Sequence, residues 1–429
     1  PPQTRLGEQL GRTAEKNGAD RMKAILLGTK QLMEPAQRLL QGYDTVRIVS
    51  FFELKNSAGE TARIQQMYAE KSADALIMAV PNKDALKITK RLRGSEIREV
   101  FYIPHYVYGL SQPGWEEIFL PVDISKPRLS YLEFHVCDHC NLNCKACSHY
   151  ANIEQEKTFA ELNSYERDLH RLKELFWGIG IIRLMGGEPL LNRDLDKFVE
   201  VSRAVFPDAD IRVVSNGLLI PAINRDLAAA MQRNHSGFDI TLYEPTANIL
   251  GKITKVLAEY QIENDISAKK KTKFYRKMTL QPSNDADISY RHCSSKKCHF
   301  LRNGQLAVCA KPILSGKLNQ RYLTEYTSQA IHNIHDQDID AWELNQQLKA
   351  PIDFCRYCAP YHEQFPWSRC DANNARLEDW LWNPPQYKLL LWNGLRLPKR
   401  LAVKFFAARP RLKTTVKKLL RRKNSDDSI

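Results

Sequence analysis

The chain has 429 residues, of which 43% are hydrophobic and 26% are charged. Its length predicts two or three domains, and its composition excludes the weakly hydrophobic, highly charged class of disordered proteins. No apolar stretch reaches the ~18 residues that a membrane-spanning helix requires. The formal net charge of +14 comes largely from a basic segment near the C-terminal end.

The first residues are polar and contain no apolar core of the kind found in a secretory signal. We therefore expect residues 1–21 to be a flexible lead-in and the protein to be cytoplasmic. In a reducing compartment the ten cysteines are expected to be thiols. Clustered thiols there more often bind metal or take part in catalysis than form disulfides.

Between residues 22 and 125, short apolar runs alternate with helical segments, beginning with the run from Lys23 to Leu27. This rhythm predicts a small parallel α/β domain that is Rossmann-like. Gly28 follows the first strand, where a nucleotide-binding fold places its phosphate loop, but the G-x-G-x-x-G spacing is absent. A turn glycine in a scaffold or partner-docking domain is the favoured interpretation.

The segment 126–285 begins with the strand LSYLEFHV, in which Leu132, Phe134 and Val136 recur with period two. Strands and helices then alternate along the rest of the segment. Repeated strand–helix units predict a partial (β/α)6 TIM-like barrel, and such a barrel places its chemistry at the carboxyl ends of the strands.

Four cysteines follow that first strand: Cys137, Cys140, Cys144 and Cys147. A zinc site typically uses two C-x2-C pairs with a longer separation, and crowding in a reducing compartment disfavours disulfides. Three thiolates from one compact loop suit a [4Fe-4S] cluster, because the cluster is wide enough to accept short-spaced ligands. Cys140, Cys144 and Cys147 are the expected ligands, with one iron left open and Cys137 as a spare buried thiol.

The sequence of this loop, CNLNC-x2-C after a strand, resembles the signature of the radical S-adenosylmethionine superfamily. Two further motifs are similar to those of the family and also follow predicted strands: MGGEPLLN at 185–192 and SNG at 215–217. The resemblance implies that the open iron binds the amino and carboxylate groups of S-adenosylmethionine. It also implies that the reduced cluster cleaves this cofactor to a 5′-deoxyadenosyl radical, which abstracts hydrogen from a substrate.

By the same resemblance, Gly186, Gly187 and Glu188 bind the ammonium group of the cofactor, since a carboxylate is a charge-assisted acceptor. Ser215, Asn216 and Thr241 are candidates for contacts with its ribose and carboxylate, with turn or capping roles left open. The position before the third cysteine is commonly aromatic in the family and packs near adenine, whereas this chain has Ala146 there.

Residues 286–375 resemble the SPASM or shortened twitch domains that carry an auxiliary cluster in part of this family. The similarity lies in the C-x5-G-x4-C run from Cys298 to Cys309 and in the later pair Cys355 and Cys358. We expect those four cysteines to hold a second [4Fe-4S] cluster, with Cys293 and Cys370 as alternates. A structural zinc on the same residues remains the alternative.

Two basic segments complete the chain. Residues 268–278 cluster cations with aromatic side chains, which indicates either a solvated loop or a patch for a phosphorylated substrate. Residues 376–429 form a basic amphipathic tail, which is either solvated or suited to an anionic membrane surface. Nucleic acid is disfavoured as a partner because no groove-reading motif accompanies the charge.

The sequences of these motifs resemble those of stand-alone family members that act in cell-surface polysaccharide biosynthesis. We therefore predict oxidation, epimerisation or a related rearrangement of a nucleotide- or lipid-linked sugar near the inner face of a membrane, with flavodoxin or ferredoxin as a plausible class of electron donor. One alternative is ribosomal peptide maturation on a peptide substrate. The non-enzymatic alternative is an iron–sulfur or zinc scaffold at a membrane.

Overall fold

A computed structural model describes residues 21–55, 59–97 and 99–382. Residues 1–20 of the predicted lead-in and nearly all of the predicted basic tail lie outside the described residues. No helix within the described ranges is long and apolar enough to cross a membrane.

The N-terminal domain is a five-stranded sheet with helices on its faces. Its strand order is β2-β1-β3-β4-β5, with all neighbours parallel except the antiparallel pair β4 and β5. Apolar clusters pack on both faces of the sheet, as continuous hydrophobic strands require. The predicted parallel α/β domain is therefore confirmed. Its elements are β1 (Met22–Gly28), α1 (Lys30–Leu40), β2 (Val46–Glu53), α2 (Glu60–Glu70), β3 (Ala75–Ala79), α3 (Asn82–Leu92), β4 (Glu99–Tyr102), α4 (Trp115–Ile118) and β5 (Leu120–Pro121).

The barrel segment contributes five parallel strands to a larger sheet. Each of the first four of these strands, β7, β9, β10 and β11, is followed by a helix that covers one face. The apolar positions of period two pack beneath these helices in the main core. The elements are β6 (Arg128–Leu129), β7 (Leu132–Cys137), α5 (Leu162–Leu175), β8 (Gly178–Ile179), β9 (Ile181–Gly186), α6 (Leu195–Val205), β10 (Asp210–Ser215), α7 (Arg225–Arg233), β11 (Gly237–Ile240), α8 (Glu244–Ala247), α9 (Leu250–Glu259) and β12 (Glu263–Ile266).

The C-terminal segment continues the same sheet, whose order is β12-β11-β10-β9-β7-β14-β15-β16. Strand β14 adds parallel to β7, so the sixth parallel strand comes from beyond residue 285 and the sheet crosses that expected boundary. Strands β13 and β17 form a separate antiparallel ribbon. The elements are β13 (Lys273–Met278), α10 (Ala286–Arg291), β14 (Phe300–Arg302), β15 (Gln305–Ala307), α11 (Ala310–Leu314), α12 (Gly316–Tyr322), β16 (Ile331–Asn333), α13 (Ala341–Gln347) and β17 (Cys358–Pro366).

The N-terminal domain docks on the amino ends of the barrel strands through the buried Arg128. This guanidinium pairs with Asp208 at 2.6 Å and donates to the carbonyl oxygen of Asn82 at 2.8 Å. Asn82, just after β3, donates in turn to the carbonyl oxygen of Gly180, just before β9. The carboxyl ends of the barrel strands, where the cysteine loop lies, therefore face away from this contact.

Candidate functional site

The loop after β7 brings three of its thiols together. The Cys144 thiol interacts electrostatically with those of Cys140 and Cys147, and burial raises the pKa of Cys144 to about 12 and that of Cys140 to about 11. Asn143 and Ala146 adopt left-handed φ angles of 50° and 55°, which wind the loop tightly. Grouped, desolvated thiolates need positive charge to be stable, and bound iron supplies it. The donor set therefore fits a sulfur-ligated cluster.

Cys137 lies apart from this group and is 1% exposed. Its thiol donates to the carbonyl oxygen of His139 at 3.2 Å and lies 3.3 Å from the Nδ1 atom of that residue. Burial raises its pKa to about 12, which favours the neutral thiol. These contacts support its predicted role as a spare thiol.

The two glycines of the G-G-E-P motif lie against the backbone of the cysteine loop. A Cβ atom on Gly186 would lie 1.9 Å from the carbonyl oxygen of Cys137, and one on Gly187 would lie 2.0 Å from that of His139. The Gly187 amide donates to the carbonyl oxygen of Cys137 at 2.8 Å, and the Glu188 amide donates to the carbonyl oxygen of His139 at 3.0 Å. The glycines thus permit a close approach between the two motifs.

Glu188 is fully buried and joins the G-G-E-P motif to the SNG motif. Its carboxylate accepts hydrogen bonds from Ser215 Oγ at 2.7 Å and from the backbone amides of Asn216 at 2.9 Å and Leu190 at 3.2 Å. Burial raises its pKa to about 7 despite these donors. A carboxylate offers about four acceptor positions, so these three bonds leave capacity for one more donor.

The remaining cofactor candidates lie at the ends of β10 and β11. The Asn216 side chain donates to Asn141 Oδ1 at 2.8 Å, which ties the SNG motif to the cysteine loop. The Thr241 amide donates to the carbonyl oxygen of Ser215 at 3.1 Å. The sequence-predicted cofactor residues therefore converge with the cysteine loop at one edge of the sheet.

Ala146, where the family commonly has an aromatic residue, is 5% exposed and packs in an apolar cluster that includes Tyr150, Met278 and Phe300. This position therefore belongs to a core shared with the C-terminal segment. Aromatic side chains reach the cysteine loop from elsewhere in the chain instead.

Residues 367–370, which we call the strap, run across the cysteine loop. Trp367 Nε1 donates to Cys144 Sγ at 3.1 Å, and the Lys145 amide donates to the carbonyl oxygen of Ser368 at 2.9 Å. Arg369 donates to two carbonyl oxygens of the loop, those of Asn141 and Leu142, each at 3.0 Å. Sequence reasoning missed these contacts because the partners lie more than 220 residues apart and share no local motif.

Four of the C-terminal cysteines form a second group. Cys309 and Cys355 each interact electrostatically with Cys293 and Cys358. Lys277 Nζ lies 3.5 Å from Cys293 Sγ. Burial lowers the pKa of Lys277, but its electrostatic interactions with Cys358, Cys293 and Cys309 outweigh burial and raise the pKa. Within the described ranges, no three His, Cys, Asp or Glu side chains are grouped as a site for a single metal ion.

Cys298 and Cys370, in contrast, interact with other residues. The thiol of Cys298 hydrogen bonds with the side chains of Tyr131 and Glu133 at the start of β7. Cys370 interacts with Lys145 and Asp379. The structure therefore places the alternate Cys293, and not Cys298, beside Cys309, Cys355 and Cys358. Cys298 as a ligand stays a prediction from the spacing, and its contacts with Tyr131 and Glu133 favour the alternate Cys293.

A cavity of about 560 Å³ opens beside the cysteine loop. Four cationic side chains line it, with Glu378 and Asp379 as the acidic members. Asp379 is 3.1 Å from Lys145, which leaves an excess of positive charge. The cations are Lys145, Arg276, Arg369 and Arg376.

Comparison with known proteins identifies the segment that carries these motifs. Residues 135–271 match the family described as the Radical SAM superfamily. The matched range contains the three grouped cysteines and both further motifs, so the predicted resemblance is confirmed for this segment. The cofactors of that family are a [4Fe-4S] cluster and S-adenosylmethionine. The SPASM-like assignment of residues 286–375 stays a prediction.

The curated relatives include several GTP 3′,8-cyclases. That of Geobacter sulfurreducens is 31% identical over 150 residues, which cover 34% of this chain and 44% of the relative. That of Campylobacter curvus is 23% identical over 247 residues, which cover 54% of this chain and 76% of the relative. The chain thus spans less than half the length of the first of these relatives.

Two solved structures show weak likeness. BtrN in complex with AdoMet and 2-DOIA matches at 14% identity with a TM-score of 0.34, covering 56% of this chain and 98% of that chain. Streptococcus suis SuiB bound to S-adenosylmethionine matches at 17% identity with a TM-score of 0.27, covering 32% and 33%.

Proposed function

We propose, from the premise that residues 135–271 form a radical S-adenosylmethionine domain, that this chain is an enzyme that reductively cleaves S-adenosylmethionine. The observation that carries the proposal is the convergence of the thiols of Cys140, Cys144 and Cys147 beside the buried carboxylate of Glu188. The three thiols would hold the cluster, and its fourth iron would remain open for the cofactor.

When bound, the cluster supplies the electron and S-adenosylmethionine supplies the radical that abstracts hydrogen from the substrate. The protein's own part is positioning. Glu188 fixes Ser215 and Asn216 through the hydrogen bonds to its carboxylate, and Asn216 fixes the loop through Asn141. The strap holds the loop in position through the hydrogen bonds that Trp367 and Arg369 donate to it.

For the second group of cysteines we propose Cys293, Cys309, Cys355 and Cys358 as ligands of an auxiliary [4Fe-4S] cluster. The electrostatic interactions of Cys309 and Cys355 with Cys293 and Cys358 support this set. The contacts of Cys298 with Tyr131 and Glu133 favour Cys293 in its place. Counts of iron and zinc per chain distinguish this cluster from the structural zinc that the sequence left open.

For the substrate we propose a phosphate-bearing small molecule, in particular a nucleotide-linked sugar. The cationic cavity lined by Lys145 of the cysteine loop supports an anionic substrate, because Lys and Arg are the usual phosphate partners. Arg276 belongs to the basic segment in which the sequence suggested a phosphate patch. The relatives named for a reaction of GTP agree with a nucleotide-bearing substrate. Membrane contact through the tail and reduction by a flavodoxin or ferredoxin complete the proposal.

The enzymatic proposal is tested with anaerobically reconstituted protein, dithionite and S-adenosylmethionine. We expect the wild type to form 5′-deoxyadenosine and Cys144→Ala to fall to background. Cys137→Ala is the matched control, since it removes a buried thiol of the same loop that pairs with His139. Equal activity of the wild type and Cys144→Ala would reject the proposal.

The substrate is tested with a panel of nucleotide sugars and a precursor peptide. We expect a nucleotide sugar to be modified and to stimulate 5′-deoxyadenosine formation. Arg376→Gln is expected to raise the KM for that substrate more than it lowers kcat, because the cavity binds a remote phosphate. Modification of the peptide alone would replace this proposal with peptide maturation.

A further inference from the structure

We propose that Trp367 is a positioning residue that raises the reduction potential of the cluster held by Cys140, Cys144 and Cys147. The inference rests on the proposed function, because it requires Cys144 to be a cluster ligand. Its basis is the hydrogen bond of 3.1 Å from the Trp367 indole N–H to Cys144 Sγ.

The direction of this hydrogen bond is fixed by chemistry. An indole N–H can only donate, so the sulfur of Cys144 is the acceptor. Hydrogen bonds to the sulfurs are among the factors that set the potential of an iron–sulfur cluster. Reduction adds negative charge to the cluster, and a donor stabilises the more negative state. The Trp367 donor therefore makes reduction easier.

The ring of Trp367 is held in place on both sides. Its backbone amide donates to the carbonyl oxygen of Thr272 at 2.9 Å, and its ring packs against Tyr243 with centroids 5.5 Å apart. Beyond it, the Cys370 amide donates to the carbonyl oxygen of Asn143 at 2.7 Å. The donor is therefore preorganised, and its position does not depend on the bound substrate.

The three cysteines differ in where their donors come from. Cys140 Sγ accepts from the nearby Leu142 amide at 3.4 Å and from the Asn216 side chain of the barrel segment at 3.8 Å. The hydrogen bonds to Cys147 come from the backbone of His149, Tyr150 and Ala151 in its own turn. Cys144 receives the side chain of Tyr243 from the barrel segment and that of Trp367 from the C-terminal segment. The C-terminal segment thus acts on the electronic state of the cluster through Cys144.

The experiment compares Trp367→Phe with Trp380→Phe. Trp380 is the matched control because its Nε1 donates to the same loop at 2.8 Å, but to the carbonyl oxygen of Cys147 rather than to a sulfur. Both changes remove one indole N–H that contacts the loop. Only Trp367→Phe removes a donor to a ligand atom.

The potential is read by redox titration of the EPR signal that changes when S-adenosylmethionine is added, which separates it from any second cluster. We expect Trp367→Phe to make reduction about tenfold less favourable, a negative shift of about 59 mV for one electron. We expect the cluster of Trp380→Phe to have the same reduction potential as that of the wild type. Equal potentials in all three proteins, or equal shifts in both variants, would overturn the inference.

Iron and sulfide per chain are measured on each variant to check that the cluster is retained. If Trp367→Phe loses iron, Trp367 is replaced by benzothienylalanine, which keeps the bicyclic ring and removes only the donor. An unshifted potential in that protein also overturns the inference. A wild type whose cluster does not respond to S-adenosylmethionine would instead reject the proposed function, so the two failures are distinguishable.

Discussion

The two cysteine groups of this chain are built in opposite ways. Cys140, Cys144 and Cys147 lie within one loop, so their chain spacing already brings them together. The second group is assembled from residues spread between Cys293 and Cys358, which only tertiary structure brings into contact. The comparison teaches that a compact motif specifies its ligands locally, whereas a dispersed site depends on the path of the chain between them.

The largest effect should come from breaking the contact between β9 and the cysteine loop. A Cβ atom in Gly187→Ala would lie 2.0 Å from the backbone oxygen of His139, so main chain must move. We expect a loss of about 3 kcal/mol in the free energy of unfolding, the upper end for overpacking, together with loss of iron from the loop. Urea unfolding of the apo protein and iron analysis measure both.

The matched control for that change is Gly251→Ala in α9. A Cβ atom there meets no atom within 4 Å. An alanine in a helix stabilises by about 0.5–1 kcal/mol relative to glycine, so this variant should be slightly more stable and keep its iron. Equal loss of iron in the two variants would show that the contact with His139 is not the cause.

The second group is tested by Cys293→Ser against Cys298→Ser. If each group holds a [4Fe-4S] cluster, Cys293→Ser should lower the iron content from about eight to about four atoms per chain, whereas Cys298→Ser should keep about eight. Both changes replace a thiol by a hydroxyl five residues apart on one segment. The reverse pattern would restore the ligand set that the sequence spacing suggested.

The most gradual effect concerns the carboxylate that joins the motifs of the first site. Burial raises the pKa of Glu188 from 4.5 to about 7, so between these values the folded protein holds a proton that the unfolded chain releases. Stability from this group is therefore complete below about pH 4.5 and is lost as the pH rises to about 7. One proton corresponds to a slope of about 1.4 kcal/mol per pH unit.

Glu188→Gln cannot titrate, so its free energy of unfolding should fall less steeply between pH 5 and pH 7 than that of the wild type. Urea unfolding of the two apo proteins at several pH values across this window measures the difference. Parallel pH profiles would mean that Glu188 is ionised throughout and that its three donors outweigh its burial.

Much of this architecture could be predicted from the sequence, because it is encoded by local patterns. The period-two strand before Cys137, the alternating strands and helices, and the glycines at 186 and 187 all specify local backbone geometry. The carboxyl ends of neighbouring parallel strands meet at one edge, so the convergence of Glu188 and Asn216 followed from topology.

The rest depended on contacts between distant parts of the chain. Nothing in the sequence around Trp367 indicates that its indole reaches Cys144, and nothing around Cys298 shows that its thiol turns toward Glu133. Ala146 likewise suggested a missing cofactor contact, whereas the structure gives the residue a packing role with the C-terminal segment. Such contacts are set by tertiary packing, which local periodicity does not encode.

The most direct measurement for the central claim is the EPR spectrum of the reduced, reconstituted protein before and after S-adenosylmethionine is added. An open iron on the cluster held by Cys140, Cys144 and Cys147 predicts a changed spectrum in the wild type and in Cys137→Ala. It predicts no such response in Cys144→Ala. A wild-type spectrum that is unchanged by S-adenosylmethionine would contradict the account.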